Sequence, residues 1–383
     1  MKFKPNFISR MRGFSLIELM VAITIGLLIM TALITLFLNM SHTNREMAKT
    51  NSQIENGRFA IQLLQNDIVH GGYWGGYVPD FDDLTASTTV APTGIPTAVP
   101  DPCAPVAADA VGLIAFPLQT YETATSATCA TNKKDNTDVV LIRHAATSTV
   151  ASCTGTNLCF QASNCASDTD RYKLGEVATT TFDLKKIDCL VANPAEIRKL
   201  VSDIYWISND NTLMRKEFKE GAYVAQPLID GIEGFRIELG RDYISDNNTD
   251  IITGRNPPVT GTVNASLQYT KAIKWADEDN RTSPVNRGDG IPDEYIRCPA
   301  TGCTVDQLIN VVSVKIFVLA RASEATLGYK DTKTYSLGTA QTMCSTDSTD
   351  TSCDLKVLDP SFKRHVFSTT VRLNNVSGRR ETP

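Results

Sequence analysis

The chain has 383 residues, of which 42% are hydrophobic and 7% aromatic, enough apolar material to bury a large core and to argue against disorder over most of the length. Its net charge is −5, but the first thirteen residues carry Lys2, Lys4, Arg10 and Arg12 and no acid. The remainder therefore holds 33 Lys and Arg against 42 Asp and Glu. This acidic balance argues against non-specific nucleic-acid binding by the whole surface, although a local basic patch could still bind nucleic acid.

A long apolar stretch follows this basic start. Residues 19–40 are almost entirely apolar, and Glu18 is the one side chain between residues 14 and 44 that is expected to be charged at neutral pH. About 20 apolar residues cross a bilayer, so residues 14–40 are predicted to span the membrane. The basic residues before this span place residues 1–13 in the cytoplasm and the acidic body on the opposite side.

The helix is expected to continue beyond the membrane over residues 41–78. Apolar residues recur there every seven positions, at Met47, Ile54, Ile61 and Ile68. With Gly57 and Leu64 between them, they form one stripe that predicts packing against a sheet. The pattern ends at Gly71 and Gly72, and the aromatic, Gly-rich turn at residues 71–77 is either a packed helix stop or a platform for a ligand.

The remaining residues, 79–383, are predicted to form a β-rich domain. Residues 80–109 are rich in Pro, Thr and Ala and indicate an irregular excursion. Strands are expected at residues 137–143, 203–208, 212–218, 234–239, 311–320 and 365–373. One long helix followed by such strands predicts an α+β fold, with the helix packed on an antiparallel sheet and insertions at residues 80–135, 145–200 and 245–300.

Ten cysteines lie outside the apolar segment, and none of them has C-x-x-C spacing. Their even number favours disulfides in an oxidising compartment such as the periplasm over ten reduced, buried thiols. The spacing does not fix the connectivity, although Cys298 with Cys303 and Cys344 with Cys353 could each close a short loop.

No catalytic motif stands out in the sequence. The four histidines are dispersed, and H-E-x-x-H, G-x-S-x-G, P-loop and G-x-G-x-x-G patterns are absent, so we expect no enzymatic activity and no cofactor. The acidic loop from Asp277 to Glu294 offers oxygen ligands that calcium prefers. Val285 and Arg287 stand where an EF-hand has its first two ligands, so a solvated loop is favoured over a calcium site.

The residues from Arg12 to Met20 resemble the type IV prepilin signature: a basic leader, Gly13, an aromatic residue and a glutamate five places after the cut. The resemblance implies that a prepilin peptidase cleaves between Gly13 and Phe14 and methylates the new Phe14 amine. It also implies that Glu18 pairs with the Phe14 amine of a neighbouring subunit during filament assembly. The alternatives are an ordinary signal anchor and a Glu18 that only reaches the lipid headgroups.

A second resemblance covers residues 55–60, with an N-x-R-F-A pattern, and residues 71–77, with a G-Y-W-G turn. Both are similar to the PilW family of minor pilins, and residues 315–321 with the last strand also resemble the J-type pseudopilins of type II secretion. The implied function is a minor pilin at or near the tip that helps initiate type IV pilus assembly, supporting twitching motility, adhesion or DNA uptake.

This resemblance also implies partners and a location. The expected partners are prepilin peptidase, the major pilin, other minor pilins, the inner-membrane assembly platform and a tip adhesin. The expected location is the bacterial inner membrane, with one span and a periplasmic C-terminal domain, and then the pilus at the cell surface. The rival hypotheses are a type II secretion pseudopilin and a tip adhesin or other ligand-binding module.

Overall fold

A long helix opens the part of the chain that the structure describes. The structure is a computed structural model that describes residues 13–85, 89–122, 127–252, 254, 268–339 and 341–381, so most of the predicted leader lies outside it. Helix α1 runs from Leu16 to His70, and no proline interrupts it. It ends before Gly71 and Gly72, as predicted; Gly72 has a φ of 76°, which favours glycine.

The chain divides into two compact units, residues 1–51 and 52–383. The first contains the apolar part of α1. The second contains the rest of α1 and, among its described residues, three short helices: α2 (Ala110–Ala115), α3 (Val305–Leu308) and α4 (Asn374–Arg380). The domain borders predicted at residues 13, 40 and 78 stay predictions.

The described residues of the second unit also form sixteen strands. In chain order these are β1 (Leu118–Tyr121), β2 (Val139–Ala145), β3 (Cys159–Ala162), β4 (Tyr172–Gly175), β5 (Ile197–Ile207), β6 (Thr212–Lys219), β7 (Ala222–Asp230), β8 (Ile232–Arg241), β9 (Trp275–Asp277), β10 (Thr282–Pro284), β11 (Glu294–Ile296), β12 (Val311–Arg321), β13 (Thr334–Ser336), β14 (Thr342–Ser345), β15 (Leu355–Leu358) and β16 (Arg364–Arg372).

Two larger antiparallel sheets make up most of this unit. The first has the order β1-β2-β5-β3-β4, and β6 and β7 extend it from β5. The second has the order β11-β8-β12-β16. Two small sheets, β9 with β10 and β13 to β15, accompany them, and only β14 and β15 pair in parallel among the described strands. One long helix with antiparallel sheets confirms the predicted α+β fold.

All six predicted strands are present, as β2, β5, β6, β8, β12 and β16. β5 begins at Ile197, six residues earlier than predicted, because its first three residues pair with β3. The predicted alternation in β12 is confirmed, since Val312, Val314 and Ile316 are fully buried in the main core. Its opposite face is partly covered as well, because Leu319 packs against residues of β13 to β15.

The buried face of α1 confirms the predicted stripe in part, at Gly57, Leu64 and Ile68. The helix buries Gln53, Gly57, Ala60, Leu64 and Ile68, whereas Ile54 and Ile61 are only half-buried and Met47 is exposed. The buried residues are spaced by three or four, as the 3.6-residue period of a single helix on a sheet requires, whereas the predicted stripe has a period of seven.

Close contacts fix this face to the second sheet. A Cβ atom at Gly57 would lie 2.2 Å from the ring of Phe367 in β16. The Gln53 side chain donates to the Ala320 carbonyl at 3.0 Å, beside a register shift between β8 and β12. The buried Gln53 amide thus gives a hydrogen-bond partner to a carbonyl that lies where the pairing of β8 and β12 is irregular.

The predicted insertions contain strands as well as loops. Residues 80–135 contain β1, and residues 145–200 contain β3 and β4, all of which hydrogen-bond into the seven-stranded sheet. Residues 245–300 contain β9, β10 and β11. The sequence did not predict these strands, because three or four residues are too few to show a period of two.

All ten cysteines are paired in five disulfides. Cys298–Cys303 and Cys344–Cys353 close the two short loops that the sequence suggested. The other bridges are Cys103–Cys129, Cys153–Cys159 and Cys165–Cys189, each within one insertion. The insertions are therefore locally cross-linked.

A polar cluster lies beneath the last turns of α1. Nε2 of His144 is 3.4 Å from Oδ1 of Asp67, and its Nδ1 is 2.8 Å from the Ala145 carbonyl oxygen. Both ring nitrogens thus face acceptors. Burial lowers the pKa of His144, but the bonds to Asp67 and to this carbonyl outweigh it and leave the pKa raised. Burial, with the charge of Asp67, raises the pKa of nearby Asp203 to about 7.

We expect Gly57→Ala to destabilise the second unit by about 1–3 kcal/mol, because the new methyl group overlaps the Phe367 ring. Denaturant unfolding of the detergent-solubilised chain measures this. Adding Phe367→Leu should restore part of the loss. Gly378→Ala is the control, because a Cβ there meets no atom within 4 Å. A Gly57→Ala chain as stable as the wild type would contradict this packing.

The free energy of unfolding should fall as the pH rises from 6 to 8. Folded Asp203 holds its proton up to a pH of about 7, whereas an unfolded aspartate loses it near pH 4, so stability is lost as the pH rises through 7, by up to about 1.4 kcal/mol per pH unit. His144, with its raised pKa, acts in the same direction.

Denaturant unfolding at several pH values measures this slope. Asp203→Asn should flatten it, because the amide does not titrate, while Asp210→Asn, at an exposed turn position, should leave it unchanged. A wild-type stability that stays constant or rises between pH 6 and 8 would show that the cluster does not titrate as proposed.

Candidate functional site

The predicted site residues lie at the start of α1, where the chain forms a capping box. Gly13 and Phe14 precede the helix, and the Ser15 N–H donates to Oε2 of Glu18 at 2.9 Å. In return the Glu18 N–H donates to the Ser15 hydroxyl oxygen at 3.3 Å. Two backbone donors that the first turn would leave without partners are thereby satisfied.

Ser15 is the site residue that sequence reasoning missed. The signal was present, since serine followed three residues later by glutamate and then an apolar run is the pattern of a capping box. The other oxygen of Glu18, Oε1, has no hydrogen-bond partner within the described residues, so the carboxylate retains capacity for a further donor.

The apolar residues that follow are uncovered in the isolated chain. Phe14 is 84% exposed, and the other large apolar side chains as far as Met40 are about half exposed or more. The hydroxyls of Thr24, Thr31 and Thr35 donate to carbonyl oxygens four residues earlier. Because these hydroxyls are satisfied within the helix, this surface suits lipid or other apolar helices and not water.

The Gly-rich aromatic turn after α1 is largely a packed helix stop. Trp74 is 1% exposed and its ring lies 5.3 Å from that of Phe160. The Gly72 N–H donates to the Arg143 carbonyl, and the Tyr73 carbonyl accepts from the Ala145 N–H. The turn therefore continues the ladder at the end of β2. Tyr77 is only half-buried and lines a surface cleft.

The acidic loop uses its carboxylates within the protein. Asp277 accepts from the N–H groups of Asp279 and Asn280, and the Asn280 side chain helps to lower the pKa of Asp277. Asp293 accepts from two backbone N–H groups, and Glu294 pairs with Arg241 at 2.6 Å. Within the described ranges, no group of three or more His, Cys, Asp or Glu side chains is placed to hold a metal ion. The preference for a solvated loop over a calcium site stays a prediction.

Comparison with known proteins gives two family matches. Residues 8–34, which include the capping box, match the prokaryotic N-terminal methylation motif. Residues 204–375, from the middle of β5 into α4, match the family described as type IV pilus-assembly protein W. α1 is also the one described helix that is long and apolar enough to cross a membrane.

Structural comparison adds little. A type IV-like pilin from Thermus thermophilus aligns with 68% of this chain and 85% of its own length, at 10% identity and a TM-score of 0.25, which is too low to bear on the fold. No curated protein is similar in sequence to the chain.

Proposed function

Because residues 204–375 match the family described as type IV pilus-assembly protein W and residues 8–34 match the N-terminal methylation motif, we propose that the chain is a minor pilin that helps to initiate type IV pilus assembly and lies at or near the pilus tip. One observation carries this proposal: the methylation motif coincides with a capped helix start followed by an uncovered apolar surface. Such a helix needs lipid before assembly and other pilin helices after it.

Processing after Gly13 is the first step of this proposal. A Cβ atom at Gly13 would meet no atom of the described residues within 4 Å, so this part of the folded chain does not require glycine there. A requirement for glycine would then come from the prepilin peptidase, which must approach the backbone closely. Methylation of the Phe14 amine, a single inner-membrane span and a periplasmic second unit belong to the same proposal.

Assembly follows through Glu18. We propose that Oε1 of Glu18, which has no partner within the described chain, receives the Phe14 amine of an adjacent pilin. In a low-dielectric bundle of helices, an amine and a carboxylate are each costly unless they meet. The partners would be the major pilin and other minor pilins, brought together at the inner-membrane assembly platform.

A position near the tip is supported by the insertions. β1, β3 and β4 widen the first sheet, and three disulfides cross-link the segments around them. A densely packed shaft leaves little room for such additions, whereas the end of a filament does not restrict them. The match to the pilus-assembly family also favours a pilus over a secretion pseudopilus.

We expect Gly13→Val to remain uncleaved in a host that has an active prepilin peptidase, because the larger side chain blocks access to the backbone. Intact-mass analysis of membrane-extracted protein should find the wild type beginning at Phe14 and the variant retaining its leader. Gly26→Ala, which lies within α1 and has open space around it, should be cleaved normally. Wild-type protein that still begins at Met1 would contradict the assignment.

Glu18→Gln tests the assembly step separately from the helix cap. Glutamine can accept the Ser15 N–H as glutamate does, so the cap survives while the charge is lost. The variant should be cleaved and inserted but depleted about tenfold from sheared pili relative to the membrane fraction. Quantitative mass spectrometry of both fractions measures this.

Ser15→Ala is the matched control for this experiment. It removes the hydroxyl that accepts the Glu18 N–H but leaves the carboxylate, so it should enter pili at near wild-type abundance. If Glu18→Gln enters pili as the wild type does, charge pairing is wrong for this subunit. If only Ser15→Ala is depleted, the cap is what assembly requires.

A further inference from the structure

A surface cleft of about 700 Å³ lies in the inserted part of the second unit. Its walls come from the end of the aromatic turn, from residues 93 and 94 and from residues 169–181, around β4. Its volume is within the range of small-molecule sites. None of the assembly residues lines it, so its role goes beyond the proposed pilus function.

The walls of the cleft are built from packed groups. The rings of Tyr77 and Tyr172 lie 4.8 Å apart, and the Tyr172 ring stacks on Phe160. Gly175 permits the loop opposite to approach, because a Cβ atom there would lie 1.9 Å from the Thr180 hydroxyl oxygen. The cleft is thus preformed, which lowers the entropic cost of binding a ligand.

The basic groups around the cleft are paired with carboxylates of the protein. Lys173 contacts Asp183 and donates to the Thr181 carbonyl, and it lies 3.9 Å from Asp170. Arg171 lies 3.7 Å from Asp83. The carboxylate of Asp80 accepts from the Thr93 hydroxyl. These residues therefore offer no free cation for a phosphate, whereas the carboxylate of Asp80 is held by a neutral hydroxyl.

What remains available is a set of neutral hydroxyls. Those of Tyr77, Tyr172, Thr169, Thr180 and Thr181 have no hydrogen-bond partner among the described residues, and all line the cleft. Burial raises the pKa of both tyrosines, so their hydroxyls stay protonated at neutral pH. Each hydroxyl can both donate and accept, which matches a ligand that is itself rich in hydroxyls.

We propose that this cleft binds a neutral saccharide. The two tyrosine rings offer apolar surface to the C–H faces of sugar rings, and the five hydroxyls exchange hydrogen bonds with the sugar hydroxyls. Because both basic groups are paired with carboxylates, the cleft has no electrostatic preference for an anionic ligand.

Titration of oligosaccharides into the full chain tests the proposal. The protein is solubilised in a zwitterionic detergent, which has no sugar headgroup, and binding is followed by saturation-transfer NMR. The probes are cellotetraose, chitotetraose and maltotetraose, with the anionic tetragalacturonate for comparison. At least one neutral probe should bind, and Tyr172→Phe and Thr181→Val should each weaken that binding about three- to tenfold by removing one hydroxyl.

Both variants keep the shape of the side chain, so the fold should be retained, and Thr149→Val, at an exposed position outside the cleft, is the control. Three results would overturn the proposal. These are no binding of any neutral probe at about 10 mM, binding that neither cleft variant weakens, and tighter binding of tetragalacturonate than of every neutral probe.

Discussion

The close approach of α1 to the second sheet at Gly57 is the constraint on which the second unit depends. Only a residue without a Cβ lets the helix lie against the Phe367 ring. That approach brings Gln53 within reach of the Ala320 carbonyl and Asn56 within reach of the Asp230 carbonyl. The last four turns of α1 therefore belong to the core that both larger sheets share, and cannot be removed without exposing it.

The C-terminal helix closes the same core from the other end. Arg380 in α4 is buried and bonds to Asp82, Asp242 and Asn310, which lie after the aromatic turn, after β8 and before β12. Removing Arg380 would leave the two buried carboxylates of Asp82 and Asp242 without this cation. Asn375 meanwhile donates to the Val69 carbonyl at the end of α1. Hydrogen bonds and ion pairs thus hold α4 against the end of α1 and the strands of the core. These bonds are directional and fix the orientation of α4, which apolar packing alone does not do.

Local signals in the sequence predicted the long helix and the long strands. The buried helix face and the cleft depend on contacts between residues that are distant in the sequence. The end of α1 followed from Gly71 and Gly72, and β12 followed from its alternation. The buried helix face was predicted in part: Gly57, Leu64 and Ile68 are buried as expected, but the other predicted positions are not, because a heptad and a 3.6-residue period diverge within a few turns. The capping box was readable from Ser15 and Glu18, but the hydroxyl-lined cleft was not, because it unites residues 77, 93, 172 and 181 only after folding.

The capping box also bears on how Glu18 can serve both the isolated subunit and a filament. In the chain alone, Oε2 satisfies the Ser15 N–H, and this bond holds the carboxylate at the first turn of the helix. A carboxylate has lone pairs for about four donors, so Oε1 can take a neighbour's amine while Oε2 keeps the cap. Under the proposed mechanism, assembly therefore adds a bond without breaking one, and the carboxylate is already oriented before the neighbour arrives. Preorganisation of this kind reduces the entropy lost on docking, and it follows from the serine three residues before the glutamate.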